Sequence, residues 1–266
     1  MTGPVHVGPF NAVSNNMQLK HPHGMTLAAV LASLCMLCTL EACQRQQQPT
    51  SAEIETIGMK ARQQNDGSAE KHLASWSAQN MPVAQRELAI LYKSRPNQRA
   101  AALRLFEQSA RAGDPDAAFE LGDMLRVGVV GVAPAPVAAV GWYAMAATRR
   151  HARAALILGM LYKNGDGVIR DDAHAAHWLD VSSQLGNPHA MFLLSNMVKE
   201  GQGSGKDPVR ARYLLEQAAE HEYPPAIQEL AMIVQLGDQY SAKDERHAGY
   251  LMKEATEHRH NNWNRF

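Results

Sequence analysis

The sequence has few cysteines, few aromatic residues and no excess of charge of either sign. All three cysteines, Cys35, Cys38 and Cys43, lie in the first 43 residues, so the rest of the chain can form no disulfide and offers no thiol chemistry. Aromatic residues make up 6% of the chain, while Ala and Leu are abundant, which suits helix–helix packing. Lys plus Arg and Asp plus Glu both number 26, which argues against nucleic-acid binding through bulk charge. We expect an all-α chain with no nucleic-acid partner.

An apolar segment near the N-terminus indicates export. The run from Thr26 to Leu40 is shorter than the roughly 20 residues that a transmembrane helix needs, and it has the length of the apolar part of a signal peptide. Lys20 precedes this run and supplies a thin basic region. We interpret residues 1–42 as an N-terminal extension and signal peptide, with Met17 or Met25 as alternative starts.

Residues 40–43 (LEAC) resemble the lipobox of bacterial lipoproteins, although Glu41 stands where a small residue is usual. The resemblance implies cleavage before Cys43 and lipidation of its thiol, and acyl chains there would anchor the protein firmly. Gln44, rather than Asp, follows the cysteine, which in Gram-negative lipoproteins favours the outer membrane, facing the periplasm. Polar residues 43–50 would form a lipidated tether. The alternative is a plain signal peptide with a cysteine beside it by chance.

From about Ser51 the sequence is periodic. Alanine recurs at steps of 33, 37, 36 and 36 residues, and each alanine is followed four residues later by leucine. These marker alanines are Ala84, Ala117, Ala154, Ala190 and Ala226. Each unit divides into a helix A and a helix B joined by a turn, as in Ala154–Lys163 and Asp171–Gln184, with apolar residues at helical spacing. The pattern predicts a degenerate helix pair over 51–82, about five repeats over 83–258 and a tail over 259–266.

Residues 155–190 (ALILGMLYKNGDGVIRDDAHAAHWLDVSSQLGNPHA) resemble a Sel-one-like (Sel1-like) repeat, a longer-period relative of the tetratricopeptide repeat. The next unit keeps Gly201, Gly203, Asp207 and Ala211 of the same pattern, and the resemblance covers roughly residues 83–258. It implies a right-handed α-solenoid of antiparallel helix pairs, in which stacking makes one continuous core. In this family the A helices line the concave face, which usually holds the partner.

The resemblance directs attention to A-helix positions three and six residues after each marker alanine. In the first unit they are Glu87 and Ile90. In the other units they are Glu120, Asp123, Ile157, Met160, Leu193, Asn196, Glu229 and Met232. The middle of this set is apolar and its ends are acidic, which is typical of a protein-binding surface. The alternative is that these residues belong to the core between repeats.

Three motifs suggest other chemistry, each with a structural alternative. Residues 201–206 (GQGSGK) suggest a phosphate loop, but Asp207 replaces the required Ser or Thr, and a glycine turn explains them better. Ser68 and Lys71 match Ser-x-x-Lys of penicillin-binding enzymes, yet Ser68 is expected as a helix N-cap. His174 and His177 share a helix face that could hold zinc, with His189 or His151 as a further ligand, or they simply face solvent.

We therefore expect a non-enzymatic scaffold or adaptor lipoprotein of the cell envelope that binds another protein and needs no cofactor or metal. The family resemblance implies partners in envelope assemblies such as exopolysaccharide export. Some family members neutralise secreted phospholipase toxins, so an immunity protein is one alternative. A cell-wall or β-lactam hydrolase is another, but no nucleophile and base stand together in the sequence. A metal-binding carrier would depend on His174 and His177.

Overall fold

The computed structural model describes residues 48–128 and 133–261, which fold as a helical unit from Thr50 onward. Cys43, the predicted signal segment and most of the predicted tether lie outside the described residues. Within the described ranges the chain forms twelve α-helices, one short 3₁₀ helix and no β-strand. The expected all-α solenoid of stacked helix pairs is confirmed.

The first two helices are α1 (Ser51–Gln63) and α2 (Gly67–Ala78). The A helices of the five repeats are α3 (Pro82–Lys93), α5 (Pro115–Val127), α7 (Ala152–Asn164), α9 (Pro188–Glu200) and α11 (Pro224–Leu236). The B helices are α4 (Arg99–Arg111), α6 (Pro136–Thr148), α8 (Asp172–Gln184), α10 (Pro208–Glu220) and α12 (Glu245–Asn261). Helix α12 thus continues into the segment assigned to a tail.

The helix boundaries follow from capping residues. Asp114 and Asn187 each accept a hydrogen bond from the backbone amide three residues on, at 2.9 and 3.0 Å, and so satisfy an amide that the helix leaves unpaired. Prolines stand at the first position of three A helices, where a missing N–H costs nothing: Pro115 in α5, Pro188 in α9 and Pro224 in α11.

Each helix packs mainly against its neighbours in sequence, as expected of a solenoid. All five marker alanines are fully buried between helices. Glycines five residues after two of these alanines allow neighbouring helices to approach closely. A Cβ on Gly159 would lie 2.8 Å from Cγ of Leu179, and one on Gly122 would lie 2.9 Å from the ring of Tyr143. Helix A of these repeats therefore packs directly against the B helix that follows it.

The loops between helices A and B reach back to the preceding repeat. Gly167 lies against the backbone of Pro136, the first residue of α6, and a Cβ there would be 2.9 Å from the proline carbonyl. Gly203 lies in the same way against Asp172, the first residue of α8, and a Cβ would overlap its carbonyl oxygen. Both glycines have φ near +70°, so the turn and the close approach each require glycine.

The N-terminal helix pair closes one end of the repeats. Helix α1 packs against α3 as well as against α2, which is an additional contact beyond the sequential ones. Ile54 and Leu73 join Leu88 in a core cluster that connects this pair to the first repeat. None of the helices in the described ranges combines the length and the apolar character needed to cross a bilayer.

Candidate functional site

The A helices α5, α7, α9 and α11 carry the eight predicted binding residues, and we call this surface the A-helix face. Seven of the eight are partly buried: Glu120, Asp123, Ile157, Met160, Leu193, Asn196 and Glu229. Met232, on the last A helix, is 56% exposed. All eight therefore retain some accessible surface.

The apolar middle of this face consists of Ile157 and Met160 on α7 and Leu193 on α9, with the amide of Asn196 beside them; we call these four residues the central patch. Ile157 packs against the core of the first repeats. Met160 and Leu193 pack against the core cluster formed by α7 to α10. These side chains thus cover the core with one part and face outward with another. Their role in binding a partner stays a prediction.

The acidic ends of the face are engaged within the solenoid. Oε2 of Glu120 lies 2.6 Å from Nζ of Lys93 on the preceding A helix. Oε1 of Glu229 lies 3.1 Å from Nζ of Lys199 in the equivalent arrangement. Neither glutamate is a free acidic group offered to a partner.

Asp123 is also engaged, because it accepts a hydrogen bond from the hydroxyl of Tyr143 at 2.6 Å. The same hydroxyl accepts from Nε of Arg126 at 3.2 Å. Tyr143 is fully buried on α6, and this burial together with the bond to Asp123 raises its pKa well above the usual value. Tyr143 is therefore a neutral packing residue.

Glu87 does not belong to an open surface. It is only 4% exposed, and its carboxylate pairs with Arg62 of α1. The physical reason is that α1 covers the first A helix, and Gly58 provides the space that the Glu87 side chain enters. Ile90, six residues after the marker alanine, remains partly exposed.

A buried cluster of charges at this end was not anticipated from the sequence. Arg86 of α3 is 7% exposed and donates to Glu55 on α1 at 2.5 Å, and to Asp114 and Asp116 at 2.9 Å each. Burial raises the pKa of Asp114, whereas a hydrogen bond from His151 lowers the pKa of Asp116. No sequence signal marks this cluster, because Arg and Asp most often face solvent.

Ser68 is not the N-cap that the sequence suggested. Asp66 caps α2, and it accepts from the Ser68 amide at 2.8 Å and from the Ser68 hydroxyl at 2.7 Å. The helix therefore starts one residue before Ser68, because the longer Asp side chain reaches the first free amides. The hydroxyl is bonded to a carboxylate rather than to Lys71, so no activated nucleophile is assembled here.

The two histidines of α8 have other partners. Nδ1 of His174 lies 2.7 Å from Asp171, and its ring stacks on Tyr162 with centroids 5.1 Å apart. His177 meets the edge of Trp178. Among the described residues, no group of three or more His, Cys, Asp or Glu side chains is placed to hold a metal ion.

The glycine-rich loop at 201–206 follows α9 and connects it to α10. Gly201 has a left-handed conformation and ends α9, while Gly203 makes the close approach to α8 described above. The loop is thus a helix-connecting turn, and no strand precedes it as a phosphate loop requires.

A cavity of about 120 Å³ lies beside the last two repeats. Leu215 and Ile233 give it apolar walls, and the Lys199–Glu229 ion pair lies at its lining. Arg212, also in the lining, is paired with Glu216 at 2.6 Å and with Asp238 at 2.9 Å. The charges around the cavity are thus matched within the chain.

Comparison with known proteins identifies the repeat. The sequence model described as "Sel1 repeat" matches residues 82–114, 115–151, 152–187, 188–223 and 224–260. These five matches follow the helix pairs α3–α4 to α11–α12. No curated protein matches the chain.

Solved structures share the fold. A Sel1 repeat protein from Oxalobacter formigenes is 26% identical with a TM-score of 0.68, over 76% of this chain and 84% of that chain. The protective antigen c5321 of uropathogenic Escherichia coli, which displays an SLR fold, is 25% identical with a TM-score of 0.67, over 78% of this chain. This chain spans 46% of c5321. The immunity protein Pa5087 of Pseudomonas aeruginosa is 16% identical with a TM-score of 0.46, over 80% of this chain and 84% of that chain, a likeness too weak to carry an argument.

Proposed function

This chain belongs to the Sel1 repeat family, and we propose that it is a non-catalytic scaffold that binds a partner protein on its A-helix face. One observation carries the proposal: Ile157, Met160 and Leu193 remain partly exposed on adjacent A helices in the middle of the repeats. Apolar side chains that a solenoid leaves partly accessible on neighbouring helices are typical of a site that a partner covers.

The surrounding charges fit this role. Ion pairs between successive A helices occupy both ends of the face, at Lys93–Glu120 and at Lys199–Glu229. Because these pairs are closed within the chain, most of the energy of binding would come from the apolar middle. A partner segment would therefore lie mainly on α7 and α9.

Photocrosslinking tests where the partner lies. We would place a benzophenone amino acid at Met160 or Asn196 of the central patch, and at Val137 or Val209 as controls. The control valines are exposed apolar residues on B helices, 74% and 64% accessible. We expect one specific adduct from the two patch positions and none from the controls; equal labelling of both faces would refute the proposal.

Substitution tests the same surface. Ile157→Glu with Leu193→Glu should abolish formation of the adduct, and Val137→Glu with Val209→Glu should not. Because Ile157 and Leu193 are half-buried, thermal unfolding followed by circular dichroism must show that the variant folds. Met160→Glu with Asn196→Glu is a second variant at the same face. Because these two positions carry the photoreactive residue in the crosslinking experiment, its effect is measured as loss of the crosslinked partner from a pull-down with the variant.

We further propose that the protein acts at the cell envelope, held by acyl chains on Cys43 in the outer membrane and facing the periplasm. The lipobox-like residues 40–43 and Gln44 support this location. Cys43→Ser should abolish palmitate labelling and release the protein from the membrane fraction. Cys38→Ser, in the apolar segment, is the matched control and should be labelled normally.

A further inference from the structure

A basic residue recurs nine positions after the marker alanine in the first four A helices. These residues are Lys93, Arg126, Lys163 and Lys199, on α3, α5, α7 and α9. The structure shows what this position faces. Lys93 reaches Glu120 and Lys199 reaches Glu229, and each glutamate stands three residues after the next marker alanine. A residue nine positions after one marker alanine thus faces the residue three positions after the marker alanine of the following repeat.

In the middle of the solenoid the acidic member of this pair is missing. Ile157 stands opposite Arg126, and Leu193 stands opposite Lys163, by the same repeat relationship. Among the residues that the structure describes, neither cation has a carboxylate within ion-pair distance. Arg126 donates to the neutral Tyr143 hydroxyl at 3.2 Å, so the two central cations border the central patch without closing an internal ion pair.

Two of the three nearby acids are already engaged. Asp123 acts electrostatically on Arg126, but its carboxylate accepts the Tyr143 hydroxyl at 2.6 Å. Asp172 interacts in the same way with Lys163, but it pairs with Arg170 at 3.0 and 3.1 Å. The exposed Asp166 is the remaining acid that acts on Arg126.

The central A helix is itself basic. Helix α7 carries Arg153 and Lys163 and no Asp or Glu. Arg153 lies over the ring of Phe119, 4.9 Å from its centroid, near the start of the helix. Lys163 near its end is free to meet an acid from outside, and an amide donor, Asn196, is carried by the following A helix.

We infer that the partner segment is an acidic peptide with interspersed apolar residues, an inference that rests on the proposed function. Its apolar side chains would cover Ile157, Met160 and Leu193. Its carboxylates would pair with Lys163 and Arg126, taking the place that Glu120 and Glu229 take in the end repeats. Charge complementarity of this kind selects the partner and speeds association.

Selection from a random dodecapeptide phage library against the full chain tests this composition. We expect enriched peptides to carry more Asp and Glu than Lys and Arg, together with Leu, Ile, Met or Phe. The enriched peptides are then synthesised and their affinities measured by fluorescence anisotropy. Lys163→Glu should weaken binding at least about tenfold, whereas Arg104→Glu on the exposed side of α4 should leave it unchanged. Raising the salt concentration should reduce the difference between wild type and Lys163→Glu.

The outcomes separate the two proposals. One outcome would overturn the acidic partner and leave the docking face intact. In it, the enriched peptides are neutral or basic, their binding is abolished by Ile157→Glu with Leu193→Glu, and their affinity is unchanged by Lys163→Glu. Enriched peptides insensitive to both sets of variants would contradict the docking face itself. Selection without enrichment would overturn the inference that a linear acidic segment binds.

Discussion

The guanidinium of Arg86 on α3 donates from Nη1 to Oδ2 of Asp114, the N-cap of α5, at 2.9 Å. Both side chains are almost fully buried. Since Arg86 also reaches Glu55 on α1, one side chain connects the N-terminal helix pair, the first repeat and the second.

We expect Arg86→Met to lower the free energy of unfolding by about 3 kcal/mol, because it leaves the buried carboxylate of Asp114 without its cation. Arg104→Met removes an exposed guanidinium from the neighbouring helix α4 and should cost no more than about 0.5 kcal/mol. Urea unfolding followed by circular dichroism measures both. Equal losses would show that the buried cluster has no special part in stability.

Gly203→Ala adds a single methyl group, yet it should lower the stability of the fold strongly. The residue has φ of +73°, and a Cβ would overlap the Asp172 carbonyl of the preceding repeat. We expect a loss of about 1–3 kcal/mol from these two strains together. Gly205→Ala is the control in the same loop, since nothing lies within 4 Å of its Cβ position. The comparison of their melting temperatures checks the prediction, and indistinguishable values would contradict it.

Acidification should destabilise the fold through His189. Burial lowers the pKa of this histidine, whose ring stacks on Tyr223 with centroids 5.4 Å apart. Below about pH 6.5 the histidine is protonated in the unfolded chain but still neutral in the folded chain. The free energy of unfolding is therefore highest above that pH, and it decreases as the pH falls toward the pKa of the folded chain. His189→Gln cannot titrate and should lose less stability than wild type between pH 7.5 and 5. Parallel pH profiles for the two proteins would rule this out.

The ion pair of Lys199 with Glu229 should show a small, salt-dependent coupling. A double-mutant cycle with Lys199→Met and Glu229→Gln should give about 0.2–1 kcal/mol at low salt, and less in 1 M NaCl. Thermal unfolding of the four proteins provides the values. Zero coupling at low salt would mean that the pair does not hold in solution, and it would weaken the contrast with unpaired Lys163.

The repeat architecture was predictable because its signal is local and recurs. Marker alanines such as Ala154 are fully buried, and Gly122 and Gly159, each five residues after a marker, lie where two helices approach closely. The five repeats were confirmed by the family match. The binding role of the eight A-helix residues stays a prediction.

Other features were not predictable because they depend on how one repeat sits on the next. Glu87 follows the same spacing as Glu120, yet α1 covers it, and periodicity does not show which repeat has an additional neighbour. The pairing of Lys93 with Glu120 joins residues 27 apart, a spacing that differs from the repeat length. The recurring basic residue on the A helices was visible in the sequence, but its meaning required the contact.

The cluster around Arg86 ties the N-terminal helix pair to the first two repeats. A chain held at Cys43, as proposed, would transmit any pull on a partner at α7 and α9 through α1 to α6, the part that contains this cluster. Helices α10 to α12 would lie outside that path and could fray without releasing the partner. A pulling force on the bound partner would then load the ion pairs around Arg86, and it would not load the last three helices.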